Sequence, residues 1–159
     1  METQLTKVAE CDLGRGLFAE TTFEPRQLIM KLTGYRYDRG HPIHRSAIGP
    51  NLLQTGWHTY ILLTSPGVYA NHSCNPNAGI ADNRNLVAIR PILPGDEIFF
   101  DYSTTMDEHD WTMPCRCGED KCRGVVRDFE ELPASVQAYY LKLGVVQKFI
   151  AARFRHLAI

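Results

Sequence analysis

The first hundred residues alternate short runs of β-favouring apolar residues with glycine- and proline-rich breaks. The runs lie at residues 17–19, 28–32, 60–63, 86–89 and 97–100. Residues 22–25 are turn-like and predict a hairpin-like pair between the first two runs, and Pro94-Gly95 predicts a tight turn between the last two. Residues 34–56 contain six glycines and prolines with weak periodicity, which predicts loops with at most one short helix. We expect a β-rich fold.

From residue 132 onward the apolar residues change to helical spacing. Pro133 suits the first turn of a helix and Gly144 suits its end, with Val136, Tyr140 and Leu143 between them. A second helix is predicted over residues 145–157. Its apolar side would be formed by Phe149, Ile150, Phe154 and Leu157.

This C-terminal stretch is also basic. It contains no acidic residue and the following basic ones: Lys142, Lys148, Arg153 and Arg155. A solvated helix face is the favoured interpretation of such a run, and contact with a partner or an acidic substrate is the alternative. A homodimer through the C-terminal helices is one form that such a contact could take.

Length and composition fit one globular domain. The chain has 159 residues, of which 44% are hydrophobic and 22% charged, so a single core is feasible. A formal net charge of -1 argues against a general field for nucleic acid, and we expect no direct nucleic-acid binding. No run approaches the roughly 18 apolar residues of a membrane span, and the N-terminus lacks a signal-peptide layout. We expect a soluble intracellular protein, cytoplasmic or nuclear, with no membrane contact.

Five cysteines indicate a metal site rather than a disulfide framework, because the count is odd and no export signal precedes them. Three of them lie within eight residues: Cys115, Cys117 and Cys122. Thiolates this close can converge on one tetrahedral zinc, which then needs a fourth ligand. Cys74 is the natural candidate, and His72 and His109 are weaker ones. The alternative is that the thiols are reduced and unligated.

Three further segments carry candidate chemistry. Residues 71–77 contain Asn, His, Ser and Cys before a proline, a composition that by itself indicates a polar turn. If Cys74 binds the zinc, the metal would hold this turn against the C-terminal segment. Residues 94–103 alternate aromatics and acids, which places Phe100 and Tyr102 on one face, as a core pair or a site wall. Gly14-Arg15-Gly16 permits close approach of the backbone to a ligand, although a tight turn is the simpler interpretation.

In chain order, these segments resemble the SET-domain protein-lysine methyltransferases. The matching pieces are Gly14-Arg15-Gly16-Leu17-Phe18-Ala19, residues 71–77, Gly95-Asp96-Glu97-Ile98-Phe99-Phe100-Asp101-Tyr102 and the cysteine triplet. The resemblance covers about residues 8–127. It implies a mainly β (β-rich α+β) SET-domain fold of short curled sheets with a pseudoknot. It also implies a SET domain over 1–110 and a zinc-binding post-SET segment over 111–127, with a C-terminal helical extension over 128–159.

The resemblance implies an S-adenosylmethionine-dependent protein-lysine N-methyltransferase whose substrate is a histone or another basic protein. Tyr102 would be the catalytic tyrosine, and Phe100 would favour di- or trimethylation over monomethylation. The implied cofactor-binding residues are Arg15, Gly16, Leu17, Tyr69, Asn71 and His72. The implied ligands of a structural zinc are Cys74, Cys115, Cys117 and Cys122. An apolar channel would favour the neutral amine that methyl transfer requires.

Some positions depart from the family pattern or lie at its edge. Gly34-Tyr35 stands where many relatives have Gly-Glu, and the insert between the two halves of the domain, which commonly shapes the peptide groove in the family, is short. These departures point to an unusual substrate. Trp111 and Phe129 flank the cysteine triplet and could line the substrate channel or simply pack.

Two other functions remain open from the sequence. A zinc-stabilised module that binds protein without modifying it would account for the cysteines and the basic helices equally well. A cysteine enzyme that uses Cys74 with His72 is less favoured, because neighbours two apart do not readily pair and a zinc-bound thiolate is not free to attack. His41 and His44 are interpreted as loop residues that bind no metal, and Cys11 as a small apolar filler.

Overall fold

The computed structural model describes residues 4–157 and consists mainly of short strands. The strands are β1 (Thr6–Cys11), β2 (Gly14–Ala19), β3 (Leu28–Lys31), β4 (Gly34–Asp38), β5 (Leu52–Gln54), β6 (Thr59–Leu63), β7 (Asn71–His72), β8 (Ala78–Ala81), β9 (Asn85–Ala88), β10 (Phe99–Phe100), β11 (Met113–Pro114) and β12 (Val125–Val126). Two α-helices follow, α1 (Ala134–Leu143) and α2 (Lys148–Ala151). Turns of 3₁₀ helix occupy Pro42–Arg45, Gly49–Asn51, Gly67–Tyr69, Tyr102–Thr105, Phe129–Glu131 and Ala152–Leu157.

The strands form small separate sheets, which confirms the β-rich fold. Two of the sheets have three strands, in the orders β4-β6-β5 and β3-β9-β8. The pairs β1-β2 and β11-β12 are antiparallel, whereas β7 and β10 pair in parallel, with Asn71 opposite Phe99 and His72 opposite Phe100. The parallel pair therefore brings the polar segment after Asn71 beside the segment that leads into Tyr102.

The predicted hairpin between the first two apolar runs is wrong. β2 pairs with the preceding β1, and β3 pairs with β9 far along the chain. The connection between them is held elsewhere: Phe23 exchanges two backbone hydrogen bonds with Ile92, at 2.8 and 2.9 Å. This long-range bridge directs the chain away from β2 before β3 begins.

The prediction for residues 34–56 is also wrong in part. β4 and β5 lie in this segment and pair with opposite edges of β6, so the strand at residues 60–63 becomes the centre of a sheet. The glycines and prolines mark the two 3₁₀ turns between β4 and β5 rather than a continuous loop. The predicted turn at Pro94-Gly95 is confirmed, because the Asp96 N–H donates to the Leu93 carbonyl at 3.0 Å and Gly95 has a φ of 91°.

The main core lies among the strands and reaches the functional segments. Its largest buried members are Leu17, Phe23, Ile29, Leu32, Leu53, Ile61, Ile80, Leu86, Ile92, Ile98 and Phe100. Tyr69 and Tyr102 are half-buried and pack against this cluster from its margin. The strand core thus supports both tyrosines named as site residues from the sequence.

The first C-terminal helix agrees with its prediction. α1 begins after Pro133 and ends at Gly144, whose φ of 71° is the left-handed conformation that glycine adopts readily at a helix end. The second helix is shorter than predicted. α2 starts only at Lys148 and passes into a 3₁₀ turn after one turn of α-helix. The side chain of Leu157, expected on its apolar side, lies outside the described part of the chain.

Residues 145–147 are not helical because they anchor the C-terminal segment to the strands. Val145 packs over β8, where a Cβ added at Gly79 would lie 2.6 Å from the Val145 Cβ. Gln147 is fully buried, and its side-chain amide donates to the carbonyls of Gln54 at 2.7 Å and Asn83 at 3.1 Å. Its backbone N–H donates to the Thr104 carbonyl at 3.1 Å. The C-terminal segment therefore shares a core with the rest of the molecule.

Within residues 4–157, no helix combines the length and the apolar character that crossing a membrane requires.

Candidate active site and metal centre

Two cavities meet at Tyr102. The larger, of about 410 Å³, extends from Phe100 and Tyr102 past Trp111 to the 3₁₀ turn at Pro42–Arg45. The smaller, of about 270 Å³, lies between the segment of Asn71 and His72 and the β11 strand that leads to Cys115. Tyr102 lines both cavities, so its side chain stands where a molecule in one would approach a molecule in the other.

The Tyr102 side chain is fixed on several sides. Its hydroxyl donates to the Ala70 carbonyl at 2.9 Å, and its ring centroid lies 4.8 Å from that of Phe100. Burial raises the pKa of Tyr102 well above its ordinary value, so the phenol stays protonated at neutral pH. The proton is committed to Ala70, which leaves the oxygen lone pairs as acceptors. Phe100 is 4% exposed and supplies an apolar surface beside them.

Asn71 links the first glycine-rich segment to the smaller cavity. Its amide nitrogen donates to the Arg15 carbonyl at 2.9 Å and to Glu97 Oε1 at 3.1 Å. The Arg15 guanidinium lies over the Tyr69 ring, 4.8 Å from the centroid, as a cation–π contact. Gly16 packs directly against the Glu97 carboxylate, with no room for a Cβ. The fold therefore brings three segments that are distant in sequence to one place.

Leu17 occupies a different position from its neighbours. Its side chain is fully buried in the main core, and its carbonyl accepts from the Ile98 N–H at 2.7 Å. The Leu17 side chain is therefore part of the core on which this region packs, and it lines neither cavity.

His72 joins the tyrosine to the cysteine cluster. Its Nδ1 accepts from the Tyr102 N–H at 3.1 Å, and its Nε2 lies 3.3 Å from Cys74 Sγ. Burial lowers the pKa of His72 to about 4, against the opposing effect of Asp101. The ring is therefore neutral, with its proton on Nε2 directed at the sulfur.

Four thiols converge beside this histidine: Cys74, Cys115, Cys117 and Cys122, whose sulfurs all lie within 4.8 Å of one another. The Cys74 and Cys115 sulfurs are 3.7 Å apart, close to the spacing of about 3.8 Å for a tetrahedral site with Zn–S bonds of about 2.3 Å. The Arg123 N–H also donates to Cys74 Sγ at 3.4 Å, which stabilises a thiolate. The donor set fits a structural zinc.

The two other candidates for a fourth zinc ligand were His72 and His109, and neither belongs to the group of four thiols. His109 lies with Asp107 and Asp128 in a separate group. The expectation that His72 and Cys74 would not pair is wrong, because the backbone of residues 72–74 turns enough to bring the ring nitrogen to the sulfur. The convergence of three further thiols on Cys74 still disfavours its use as a nucleophile.

A buried carboxylate ties the active-site segment to the C-terminal parts of the chain. Asp101 Oδ1 accepts from Arg123 Nη2 at 2.8 Å, and Asp101 Oδ2 accepts from the Tyr140 hydroxyl at 3.0 Å. Asp101 is 1% exposed and also accepts the Ser103 N–H at 3.1 Å. One side chain next to Tyr102 therefore holds the cysteine segment and α1 together.

A second ion network holds the C-terminal segment to Asp107 and His109, which alternate in sequence with wall residues of the larger cavity. Arg153 pairs with Asp107 and with Glu130, and His109 lies between the same carboxylates. Lys148 pairs with Asp82 at 2.9 Å. Two of the four basic residues predicted to form a solvated face thus make intramolecular ion pairs.

The larger cavity has an aromatic and partly charged wall. Trp111 lines the cavity, whereas Phe129 is fully buried against the Phe154 ring and packs in the core. His41 and His44 also line the cavity from their 3₁₀ turn. Burial raises the pKa of Glu108, another wall residue, to about 7.

Several residues of the site were not predicted from the sequence. Glu97 lies within a family-like motif but gave no sign that it would hold Asn71. The partners of Asp101, Arg123 and Tyr140, are 22 and 39 residues away, and only the fold brings them together. Cys11 is half-buried beside Asn71 rather than in the core, with its sulfur 3.7 Å from the amide nitrogen.

Comparison with known proteins gives consistent matches. The SET domain family model matches residues 14–103. The "Methyltransferase flvH" of Aspergillus flavus is 37% identical over 93 residues, which make up 55% of this chain and 51% of that protein. The H3 lysine-36 specific histone-lysine N-methyltransferases of Emericella nidulans and Candida albicans are 31% and 32% identical, over 71% and 73% of this chain.

The chain spans 51% of the length of the Aspergillus protein and only 13% and 16% of the two histone-lysine N-methyltransferases. The family match covers more than half of the chain and contains the Asn71 and Tyr102 segments. From these matches and the geometry together, the chain belongs to the SET-domain family.

Proposed function

We propose that the chain is an S-adenosylmethionine-dependent protein-lysine N-methyltransferase. The observation that carries the proposal is the position of Tyr102 on the wall shared by two cavities. A transfer between two bound molecules requires such a meeting point, because aligning the reacting atoms supplies much of the rate enhancement. A protein that only binds another protein has no need of it.

The smaller cavity is the proposed cofactor site. When bound, S-adenosylmethionine supplies a methyl group that is activated by a positively charged sulfur. Asn71 and His72 line the cavity, and Arg15, Gly16 and Tyr69 are connected to Asn71 through its bond to the Arg15 carbonyl and the Arg15–Tyr69 contact. Leu17 would contribute through its backbone only. We propose these six residues as the cofactor-binding set.

The larger cavity is the proposed substrate site, with Phe100 and Tyr102 at its inner end. A lysine side chain there would lose water, and desolvation favours the neutral amine over the ammonium form. The Tyr102 oxygen is held by Ala70 and can accept a hydrogen bond from the amine or a weak C–H contact from the methyl group. Phe100 cannot retain a water by hydrogen bonding, which leaves room for a methylated amine and favours di- or trimethylation.

The four cysteines are the proposed ligands of one structural zinc. The metal would fasten the post-SET segment, residues 111–127, over both cavities, since Trp111 lines one and Cys115 and Cys117 line the other. A closed site with four thiolates leaves no position for catalysis. The zinc would therefore act by ordering a wall.

Metal analysis tests this assignment. Cys74→Ser removes one of four convergent thiolates, and we expect its zinc content to fall from one per chain to well below one. Cys11→Ser is the matched control, because Cys11 lies outside the cluster, and it should retain one zinc per chain. Full zinc content in the Cys74 variant would refute the ligand set.

The function is tested by incubating the zinc-loaded chain with radiolabelled S-adenosylmethionine, core histones and a cellular extract. We expect label on protein lysines, and we expect Tyr102→Phe to lower the rate about a hundredfold, since a small misplacement at the reacting centre has an effect of that order. The matched control is Tyr139→Phe, because Tyr139 is 52% exposed and lines neither cavity. A zinc-stabilised binding module would label nothing and show no saturable cofactor binding in calorimetry.

A further inference from the structure

We propose that the larger cavity selects protein segments in which an acidic residue lies close to the target lysine. The inference rests on the proposed lysine methyltransferase function and narrows its substrate class. It comes from the distribution of charge around the cavity, which differs between its two edges.

One edge is basic and is formed by the 3₁₀ turn after β4. Arg39, His41, His44 and Arg45 all line the cavity there. Arg39 donates to the backbone carbonyls of Trp57 at 3.3 Å and Glu108 at 3.1 Å, so its guanidinium is positioned without a carboxylate ion pair. Within residues 4–157, the Arg45 side chain has no hydrogen-bond or ion-pair partner and is exposed. Arg45 thus presents positive charge that the fold does not neutralise, and Arg39 adds positive charge beside the Glu108 backbone.

The same segment contains an arginine that behaves differently. Arg36 lies on β4 and is paired with Asp38 at 3.8 Å. It is absent from the cavity wall. The contrast shows that unpaired positive charge is concentrated where the segment faces the cavity, and it supplies a control of the same residue type.

A second edge is acidic and belongs to the segment after the Tyr102 turn, and it meets the basic edge where Arg39 donates to the Glu108 carbonyl. Glu108 and Asp110 line the cavity, and Trp111 follows them. Glu108 is half-buried, whereas Asp110 is exposed at the edge. A lysine ammonium that approaches the cavity is attracted to the exposed Asp110 before it loses its charge further in.

A substrate that fits both edges carries a carboxylate for the arginines and an ammonium for the acids. A uniformly basic tail would satisfy the acidic edge, but it would bring further positive charge against Arg39 and Arg45. Opposite charges that meet at the edge of an interface favour binding by about two- to fivefold, and like charges oppose it by a similar factor. The charge pattern therefore favours a lysine flanked by Asp or Glu.

A peptide library tests the inference. Each peptide contains one lysine in a neutral sequence, with Glu, Gln or Lys placed in turn at each flanking position, and methylation is measured with radiolabelled cofactor. We expect Glu at a favoured position to raise kcat/KM about fivefold over Gln and Lys to lower it, with the preference weakening at high salt. Arg45→Glu should reverse the preference and so favour Lys there. Arg36→Glu makes the same charge change outside the cavity and should leave the preference unaltered.

The outcomes separate the inference from the function on which it rests. Methylation of the library with equal rates for Glu, Gln and Lys at every position would overturn the inference and leave the methyltransferase function intact. An equal effect of Arg36→Glu and Arg45→Glu would also overturn it, since only net charge would then matter. Failure to methylate any peptide or any protein in the extract would count against the function itself.

Discussion

The contact between α1 and the active-site segment leads to a quantitative prediction for Tyr140→Phe. The Tyr140 hydroxyl donates to Asp101 Oδ2 at 3.0 Å, and Tyr140 is 2% exposed. Hydrogen bonds to a charged partner contribute roughly 1.5–3 kcal/mol, and phenylalanine fills almost the same volume. We therefore expect the free energy of unfolding to fall by about 2 kcal/mol.

For a chain of this length, about 2 kcal/mol corresponds to a fall in Tm of about 4–8 °C, which differential scanning calorimetry measures directly. Tyr139→Phe is the matched control, because Tyr139 is the neighbouring residue, is 52% exposed and makes no hydrogen bond through its hydroxyl to any of the described residues. Its Tm should change by less than about 2 °C, as for most surface substitutions.

Asp101→Asn should be more damaging than Tyr140→Phe. It removes the charge that faces the Arg123 guanidinium, whose side chain is only 18% exposed. Loss of one partner from a buried ion pair lowers stability by about 3–5 kcal/mol, and the low end applies because Arg123 retains some contact with water. If Tyr140→Phe and Tyr139→Phe have the same Tm, the Asp101 contact does not stabilise the fold and the reasoning fails.

Three further substitutions have expected outcomes. Phe100→Tyr should shift the product from di- or trimethyl-lysine towards monomethyl-lysine in mass spectrometry of a saturated reaction, and an unchanged product would contradict the role given to Phe100. Gly79→Ala places a Cβ 2.6 Å from that of Val145 and should lower stability by about 1–3 kcal/mol in chemical denaturation, and an unchanged stability would exclude this clash. The pKa of Glu108, raised by burial from 4.5 to about 7, means that the folded state keeps a proton that the unfolded state loses. Wild-type stability should therefore fall relative to Glu108→Gln as pH rises through this window, and a constant difference between the two would refute the shift.

The cysteine cluster and the aromatic pair were accessible from the sequence because their information is local, whereas the role proposed for Tyr102 came from the family resemblance. Three cysteines within eight residues form a specific metal-binding pattern, and the alternation of residues 94–103 predicts Phe100 and Tyr102 on one face. The structure brings Cys74 to the triplet and places the Phe100 and Tyr102 rings 4.8 Å apart, as these patterns led us to expect. The position of Tyr102 between two cavities is not encoded in the local pattern.

Strand partners and ion pairs were not accessible in this way. The apolar run at β3 predicts a strand correctly, but its partner β9 is selected by the bridge between Phe23 and Ile92, which no local pattern encodes. Arg153 is one of four similar basic residues in the sequence, and its pairing with Asp107 depends on where the last turn of the chain folds back. Contacts of this kind depend on tertiary structure, which a single sequence leaves open.

The burial of Gln147 bears on how the protein folds during synthesis. Its amide joins carbonyls 93 and 64 residues earlier in the chain, at Gln54 and Asn83. Such distant contacts form late, because a long loop must close before they contribute, and they cannot form until residue 147 has left the ribosome. The nascent sheets will meanwhile leave β8 uncovered at Gly79, where Val145 packs in the finished fold.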